Sequence, residues 1–405
     1  MDTYDIFILD ASNKQSLTAA RSLGRAGLRV ALGEIPAEPA PGIDPPAFRS
    51  RHCARAVVLP DYATDPVAYA EAVVAFAERH RVRVVLPATD ATCTTMAPYR
   101  ECLTALGCTL ALAPDPALET AFDKDKTLRV ARELGIGCPE SVRVDDVGDL
   151  PAAAARLGFP LVIKPTMSWT GKSPVRVVPV DVIDEAEAVA AAERVFEAGA
   201  GVLAQQWLPG RREGVTCFII GGEVMASCGH VAHRTTPQLG GASVLRESIE
   251  VTPDVYDASV RLAKAIGIEG ICEVEFRRDA DGRPLLMEIN PRLAGTLENA
   301  LRAGVDFPLL IWQFATGQPV SRVHGSRTGV RTRWLHGDLR WLRDNQRRAG
   351  RPDSVPRIRG FATFAGEFTR TRYYDFFDPR DMKPALAELR YTAAIMLRSR
   401  RRHHA

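Results

Sequence analysis

The sequence predicts two fold classes in series, a doubly wound parallel α/β domain followed by an α+β domain. Three observations predict it. Short apolar runs alternate with helical stretches over residues 5–117, a Pro-containing break (APDPA) falls at 113–117, and strands outnumber helices beyond it. With 405 residues, 46% of them hydrophobic and 25% charged, the chain can bury a large core and divides into two or three domains.

Each element has its own signal. IFIL (6–9) is a buried-strand run, SLTAARSLGRAG (16–27) has helical spacing with Gly27 as its stop, and LRVALG (28–33) is a second strand. VAYAEAVVAFAERH (67–80) is a further helix, and VRVVLP (82–87) is a strand ending in Ala88-Thr89-Asp90. The first turn, Asp10 to Lys14, lacks the GxGxxG that lets a backbone approach a pyrophosphate, which disfavours a dinucleotide site. The Pro-rich stretch 35–46 and the segment 45–56 read as a surface connection. Beyond the break come a helix (122–135), the strand-bearing GFPLVIKP (158–165), a helix near 183–198, the strand VLAQQWL (202–208) and two β segments over 214–229. A helix (254–266) and the hairpin CEVEFRRDADGRPLLMEINPR (272–292) follow.

Composition excludes several classes. A net charge of +3 is too small for a nucleic-acid binder of this size. Eight cysteines lie without CxxC or Cys/His ligand spacing, which implies reduced thiols and a cytoplasmic protein. MDTYDIFILD has no secretory pattern and no apolar run reaches bilayer length, so no membrane partner is expected. Only seven of the 52 basic residues are Lys, and four of these (Lys124, Lys126, Lys164, Lys172) cluster within 50 residues. A compact ammonium on a flexible stem suits a phosphate.

The hairpin carries the chemistry. Alternation puts Glu273, Glu275 and Arg277 on one face of its first strand and Leu286, Glu288 and Asn290 on one face of its second, with Val274, Phe276, Leu285, Met287 and Ile289 facing the core. Asp281-Gly282 makes the turn. If the acidic faces coincide, carboxylates meet across two strands and need a positive charge between them. A hard cation such as Mg²⁺ answers that need with oxygen ligands; a solvent-facing hairpin neutralised by Arg277 and Arg283 answers it equally.

Glu288-Ile289-Asn290-Pro291-Arg292, with Glu275 thirteen residues before Glu288 in a Gly-x-x-x-x-Glu-Phe strand (270–276), resembles the metal-binding end of the ATP-grasp superfamily. The resemblance implies ATP and Mg²⁺, two ions, with Glu275, Glu288 and Asn290 as metal ligands and Glu273 set one strand repeat too early. It extends over 118–320. Lys126 and Lys164 resemble the two phosphate-binding lysines, and 166–173 stands where a loop closes over the phosphates, with Lys172 as a catalytic candidate beside Arg292. Gln205, Gln206, Trp207 and Leu208 resemble the hinge that reads adenine, with Glu213 placed for ribose. His230 to Ser243 resembles the substrate loop of a carboxylate-amine ligase subgroup, where Arg234 would hold a carboxylate with His233 nearby.

The implied architecture is an N-terminal Rossmann-like domain (1–117), a two-lobed ATP-grasp domain (118–200 and 201–330) and a C-terminal extension (331–405). The Arg-rich end, 398–404, reads either as a binding tail for nucleic acid or anionic lipid or as a solvated terminus. The implied function is ATP-dependent joining of a small carboxylate and an amine, an amino acid among them, through an acyl phosphate with ADP as product, in a chain that could form a homodimer. Bicarbonate activation by a carboxylase or carbamoyl-phosphate-type enzyme, and a non-catalytic nucleotide sensor, stand as alternatives.

Overall fold

The computed structural model describes residues 2–36, 44–171, 179–238, 240–348 and 350–402. The chain forms two compact units. One comprises residues 1–112, 292–323 and 373–405; the other comprises 113–291 and 324–372. The linear division read from the sequence therefore meets a chain that returns twice to its first unit. Residues 292–323 join the N-terminal segment and the extension is shared between units.

In the first unit, β1 (Ile6–Ile8), β2 (Val30–Glu34), β3 (Cys53–Val58), β4 (Val84–Leu86) and β5 (Thr109–Leu110) form a parallel sheet of order β3-β2-β1-β4-β5. The segment read as a surface connection thus supplies β3, an edge strand whose alternating Arg and Ala read as loop because an edge is half solvated. Asp10 closes β1 with φ 62°, a left-handed value that its short side chain stabilises by accepting from Thr92 Oγ1 (2.6 Å) and the Ala88 amide (3.0 Å). Burial raises the Asp10 carboxyl to about 6, and burial with Asp10 alongside raises Glu34 to about 7.

The helix Lys14–Arg25 organises this unit. Thr18 Oγ1 donates to Glu298 Oε2 (2.9 Å) and Ser22 Oγ to Asp306 Oδ1 (2.6 Å), which holds the helices Leu297–Ala303 and Phe307–Ala315. Arg21, fully buried, donates to Asp381 Oδ2 (2.9 Å) and to the carbonyls of Asp375 and Phe376 (both 2.9 Å).

The second unit holds two sheets. A four-stranded sheet orders β6 (Ser141–Val144), β7 (Leu161–Pro165), β8 (Val180–Val182) and β9 (Val202–Gln206) as β6-β9-β7-β8, backed by the helices Leu150–Leu157 and Glu185–Glu197. A larger antiparallel sheet contains β10 (Arg212–Ile220), β11 (Glu223–Thr236), β12 (Ala242–Ile249), β13 (Gly270–Arg278), β14 (Pro284–Asn290) and β15 (Arg331–Arg333), running β14-β13-β10-β11-β12-β15. The helices Pro253–Ile266 and Leu335–Arg347 pack against it. No described helix is long and apolar enough to cross a membrane. The eight cysteines are all unpaired thiols. The Arg-rich end lies in the helix Lys383–Arg402 up to residue 402; the rest of it falls outside the described residues.

Removing Arg21 leaves the buried Asp381 carboxylate without its guanidinium, so Arg21→Met should destabilise the protein by about 3–5 kcal/mol in urea unfolding. Stability within about 1 kcal/mol of the parent would contradict this tie.

Candidate functional site

Strand register brings the hairpin acids together. Glu275 lies opposite Glu288 and Glu273 opposite Asn290, so the acidic faces of β13 and β14 coincide. A β-bulge between Glu275 and Phe276 then shifts the pairing so that Leu286 faces Phe276, and both side chains are fully buried. Simple alternation had set Leu286 beside Glu288; the inserted Met287 turns it to the core instead.

The register carries this face across the sheet. Glu288, Glu275, Gly214, His230 and Ser248 form one row over β14, β13, β10, β11 and β12, and Arg277, Arg212, Ala232, Arg246 and Thr332 form the next, reaching β15. Arg212 reaches diagonally, with Nε 3.1 Å from Glu275 Oε2 and a second, closer contact from Nη2, while its Nη1 donates to the Gly241 carbonyl (2.8 Å). His230 lies with Nε2 3.5 Å from Glu273 Oε1, over the gap left by Gly214, where a Cβ would come within 3.0 Å of the imidazole. Burial lowers the His230 imidazole, and burial with Glu273 and Glu288 close by raises the Glu275 carboxyl against the pull of Arg212. The ligand atoms of His230, Glu273 and Glu275 all lie within 4.8 Å of one another. Glu273, set aside by spacing, is thus part of the cluster.

The smaller sheet supplies ammonium groups. Lys164, at the end of β7, is buried and donates to Gln205 Oε1 (2.9 Å) on β9. Burial and the Lys124 charge lower it to about 7, with Glu288 pulling the other way. The lysine near Lys164 is Lys124, while Lys126, the residue expected from the resemblance, is exposed. Asp123 caps the helix Lys124–Glu133, the Lys124 amide donates to the Thr166 carbonyl, and Lys124 Nζ lies 2.9 Å from Ser168 Oγ and 3.9 Å from Glu288 Oε2. Two residues along a helix is a rotation of about 200°, which turns Lys126 to solvent. The tandem Asp-Lys pairs concealed this choice, although Asp123 as N-cap was the available signal.

Around the hinge, Gln205 and Leu208 are buried, while Gln206 is exposed and accepts from the Glu140 amide at 3.4 Å. Gln205 Nε2 and Trp207 Nε1 are buried donors without a hydrogen-bond partner among the described residues. Glu213 is corrected. It faces the back of the large sheet, in the row of Phe276 and Val231, with its carboxylate 2.5 Å from both Arg211 Nη2 and Arg278 Nε, so it is not free to meet a ribose.

The substrate-loop pair is corrected too. Arg234 lies opposite Leu245 on the back face, under Trp341 (4.3 Å from guanidinium to ring centroid) and paired with Asp338 (2.9 Å). A shift of register between Ala232 and Arg234 moves it there. His233 contacts Glu247 at 3.0 Å near the surface. Asn290 Nδ2 donates to Glu288 Oε1 (3.2 Å), and Arg292 forms an ion pair with Asp90 at the end of β4. Lys172 lies outside the described residues, as do the residues that follow it to 178; Thr170 before it donates to the Ala198 carbonyl (2.9 Å).

A sheet face of opposed carboxylates and buried cations, met by two lysines from a smaller α+β lobe, is chemically suited to a polyanion together with a hard cation. Residues 200–337 match the family model described as ATP-grasp in the biosynthetic pathway with Ter operon. The chain is 29% identical over 206 residues to a D-alanine–D-alanine ligase of Stutzerimonas stutzeri, a match covering 47% of this chain and 63% of that protein. A D-alanine–D-alanine ligase of Gloeobacter violaceus is 29% identical over 218 residues, covering 47% of this chain and 67% of that protein. The chain thus spans less than two thirds of the length of the first of these relatives. Among solved structures, the L-amino acid ligase from Bacillus licheniformis superposes with a TM-score of 0.60 at 21% identity, covering 78% of this chain and 75% of that one. Biotin carboxylase from Campylobacter jejuni gives 0.64 at 15%, covering 81% and 74%. Over residues 200–337 the chain is thus similar to the ATP-grasp family.

Lys164 provides a pH signature. Its folded value is depressed from 10.5 to about 7, so between these values the unfolded chain holds a proton that the folded one lacks. Stability attributable to Lys164 therefore rises with pH through that window, by up to about 1.4 kcal/mol per unit. Urea unfolding of the parent and Lys164→Met, compared across the window, should show a difference that depends on pH; a constant difference would remove the assignment.

Proposed function

We propose that the protein is an ATP-dependent carboxylate-amine ligase that forms an amide or peptide bond and releases ADP and phosphate. The observation that carries the reading is the convergence of Lys124, Lys164, Glu275, Glu288 and Asn290 within one unit. The donor set fits Mg²⁺, being rich in oxygen ligands, and burial with Glu273 and Glu288 close by raises the Glu275 carboxyl, a cost that a bound cation would relieve. Glu275, Glu288 and Asn290 would hold Mg²⁺, which supplies charge neutralisation at the β and γ phosphates of ATP.

The chain's own groups then do the following. The unpartnered Gln205 Nε2 and the adjoining backbone of Gln206, Trp207 and Leu208 offer hydrogen bonds to an adenine edge. Lys124 and Lys164 are the groups placed to hold phosphate oxygens. A substrate carboxylate oxygen attacks the γ-phosphorus as the bond to the bridging oxygen of ADP breaks, giving an acyl phosphate. The amine nitrogen attacks the acyl carbon, the bond to the phosphate oxygen breaks, and the nitrogen gives up its proton. The acyl phosphate hydrolyses in water, so the chemistry requires closure. Kinship with ligases that act on amino acids, by their names, supports amino acids among the substrates.

Glu288→Gln should abolish ADP formation while far-ultraviolet circular dichroism stays unchanged and the protein is no less stable to unfolding, and a turning-over variant, or AMP and pyrophosphate as products, would defeat the scheme. Lys124→Met should weaken ATP binding about 10–100-fold, the equivalent of one charge-assisted hydrogen bond, while Lys126→Met stays within about threefold. Equal effects in equilibrium binding of a fluorescent nucleotide would return the role to Lys126.

A further inference from the structure

We infer that Arg348 and Arg351, from the C-terminal extension, form a latch that ties the smaller sheet of the second unit to the large one, and that their ion pairs set how fast a bound nucleotide leaves. The inference rests on the ligase reading for its ligand. The latch itself rests on contacts that this reading does not use.

The helix Leu335–Arg347 packs on β11 and β12, so the residues at its end are carried by the large sheet. From there Arg348 crosses to the smaller sheet, where its Nη2 lies 2.5 Å from both carboxylate oxygens of Asp181, a buried acid on β8. The same guanidinium donates from Nε to Gln238 Oε1 (2.9 Å), in the turn between β11 and β12. One side chain thus holds both sheets. Beside it they approach closely, since a Cβ on Gly240 of that turn would come 2.6 Å from Pro179, the residue before β8. Arg351 takes both carboxylate oxygens of Glu187, in the first turn of the helix Glu185–Glu197, with Nη1 2.7 Å from Oε2. Asp353 pairs back to Arg277 on β13.

The turn that carries these groups is itself braced. The Arg351 amide donates to the Arg348 carbonyl (2.9 Å), Ser354 Oγ to the Arg351 carbonyl (2.7 Å) and Asn345 Nδ2 to the Val355 carbonyl (2.7 Å). A guanidinium fork on a fixed backbone loses less freedom on pairing than one on a loose tail, and its two-oxygen geometry resists sliding. On the ligase reading, the nucleotide lies between Lys124 and Lys164 on one side and Glu275 and Glu288 on the other. Its departure then requires the sheets to part, and parting breaks the pairs at Asp181 and Glu187. Neither acid belongs to the donor set for ATP or Mg²⁺, so the latch acts on release.

The test uses the full chain with Mg²⁺ and follows release of a fluorescent ADP analogue by stopped flow against excess unlabelled ADP. Arg351→Met and Glu187→Gln should each speed release by roughly 2–5-fold, the worth of one partly exposed pair. The double variant should be no faster than either single one, because all three remove the same bond. Arg348→Met should have at least as large an effect and Arg348→Lys a smaller one; if Arg348→Met fails to fold, the Arg351 and Glu187 variants carry the comparison. Backbone hydrogen exchange over residues 180–187, measured without nucleotide, should quicken in the same variants. The inference is overturned if release keeps the parent rate, even where exchange quickens, since the pairs would then serve the fold alone. It is also overturned if the single effects add. A parent that binds no nucleotide, with exchange quickened as expected, would sink the ligase reading and leave the tie between the sheets standing.

Discussion

Repulsion between opposed carboxylates is the constraint around which the second unit is built. Glu275 and Glu288 face each other across β13 and β14, where unscreened like charges at about 4–5 Å cost on the order of 3–4 kcal/mol at the effective dielectric of a protein. The fold meets that cost locally. Arg212 reaches across from β10, His230 lies against Glu273 through the opening at Gly214, and Lys124 approaches Glu288 from the smaller lobe. Each compensating group comes from a different strand or helix, so the acids can stay close only if the sheet and the small lobe are both in register. The geometry of this cluster and the specificity of folding are thereby coupled.

The two faces of the large sheet divide labour through a period of two. On the site face the polar side chains converge, whereas on the back the same strands present Phe276, Leu286 and Val231 to the helices packed there. Charges do occur on the back, but in closed pairs. Glu213 is held by Arg211 and Arg278, and Arg234 and Arg333 share Asp338, with Arg234 also covered by Trp341. A charge answered on both sides in this way serves to fix the sheet and its covering helix. The helix Leu335–Arg347 is thus part of the support of β11 and β12, and the first half of the C-terminal extension is structural.

This division explains what could be read in advance. The parallel sheet, the break near residue 113 and the facing acids follow from local periodicity, which is what a sequence states directly. The register shifts at Phe276 and near Arg234 do not, because a bulge depends on how two strands meet, and each one reverses the face of every residue beyond it. Leu286 and Arg234 were lost in that way. The adjacent Asp-Lys pairs give Lys124 and Lys126 equal signals until the helix start is known. Arg212, His230 and Arg246 had no motif around them; only pairing across strands far apart in sequence gathers them. The edge strand β3 was hidden by its solvent-facing arginines.

The basic residues of the site differ in how firmly they hold their charge, and the difference follows from their partners. Arg212 keeps its charge through Glu275, and guanidinium resists deprotonation in any protein setting. Lys164 has only the neutral Gln205 amide at bonding distance, with the Lys124 ammonium near, so burial brings it close to neutrality. Were both lysines fully charged with nothing to answer them, the small lobe would bear two buried like charges beside a cluster whose acids are already partly compensated. Letting Lys164 hover near pH 7 removes that cost while the site is empty of anion. On the ligase reading, a polyanion bound there supplies the partner that Gln205 cannot and restores the charged form. On the ligase reading, the full attraction between lysine and phosphate therefore develops only with the nucleotide in place, and the resting protein avoids the strain of holding it ready.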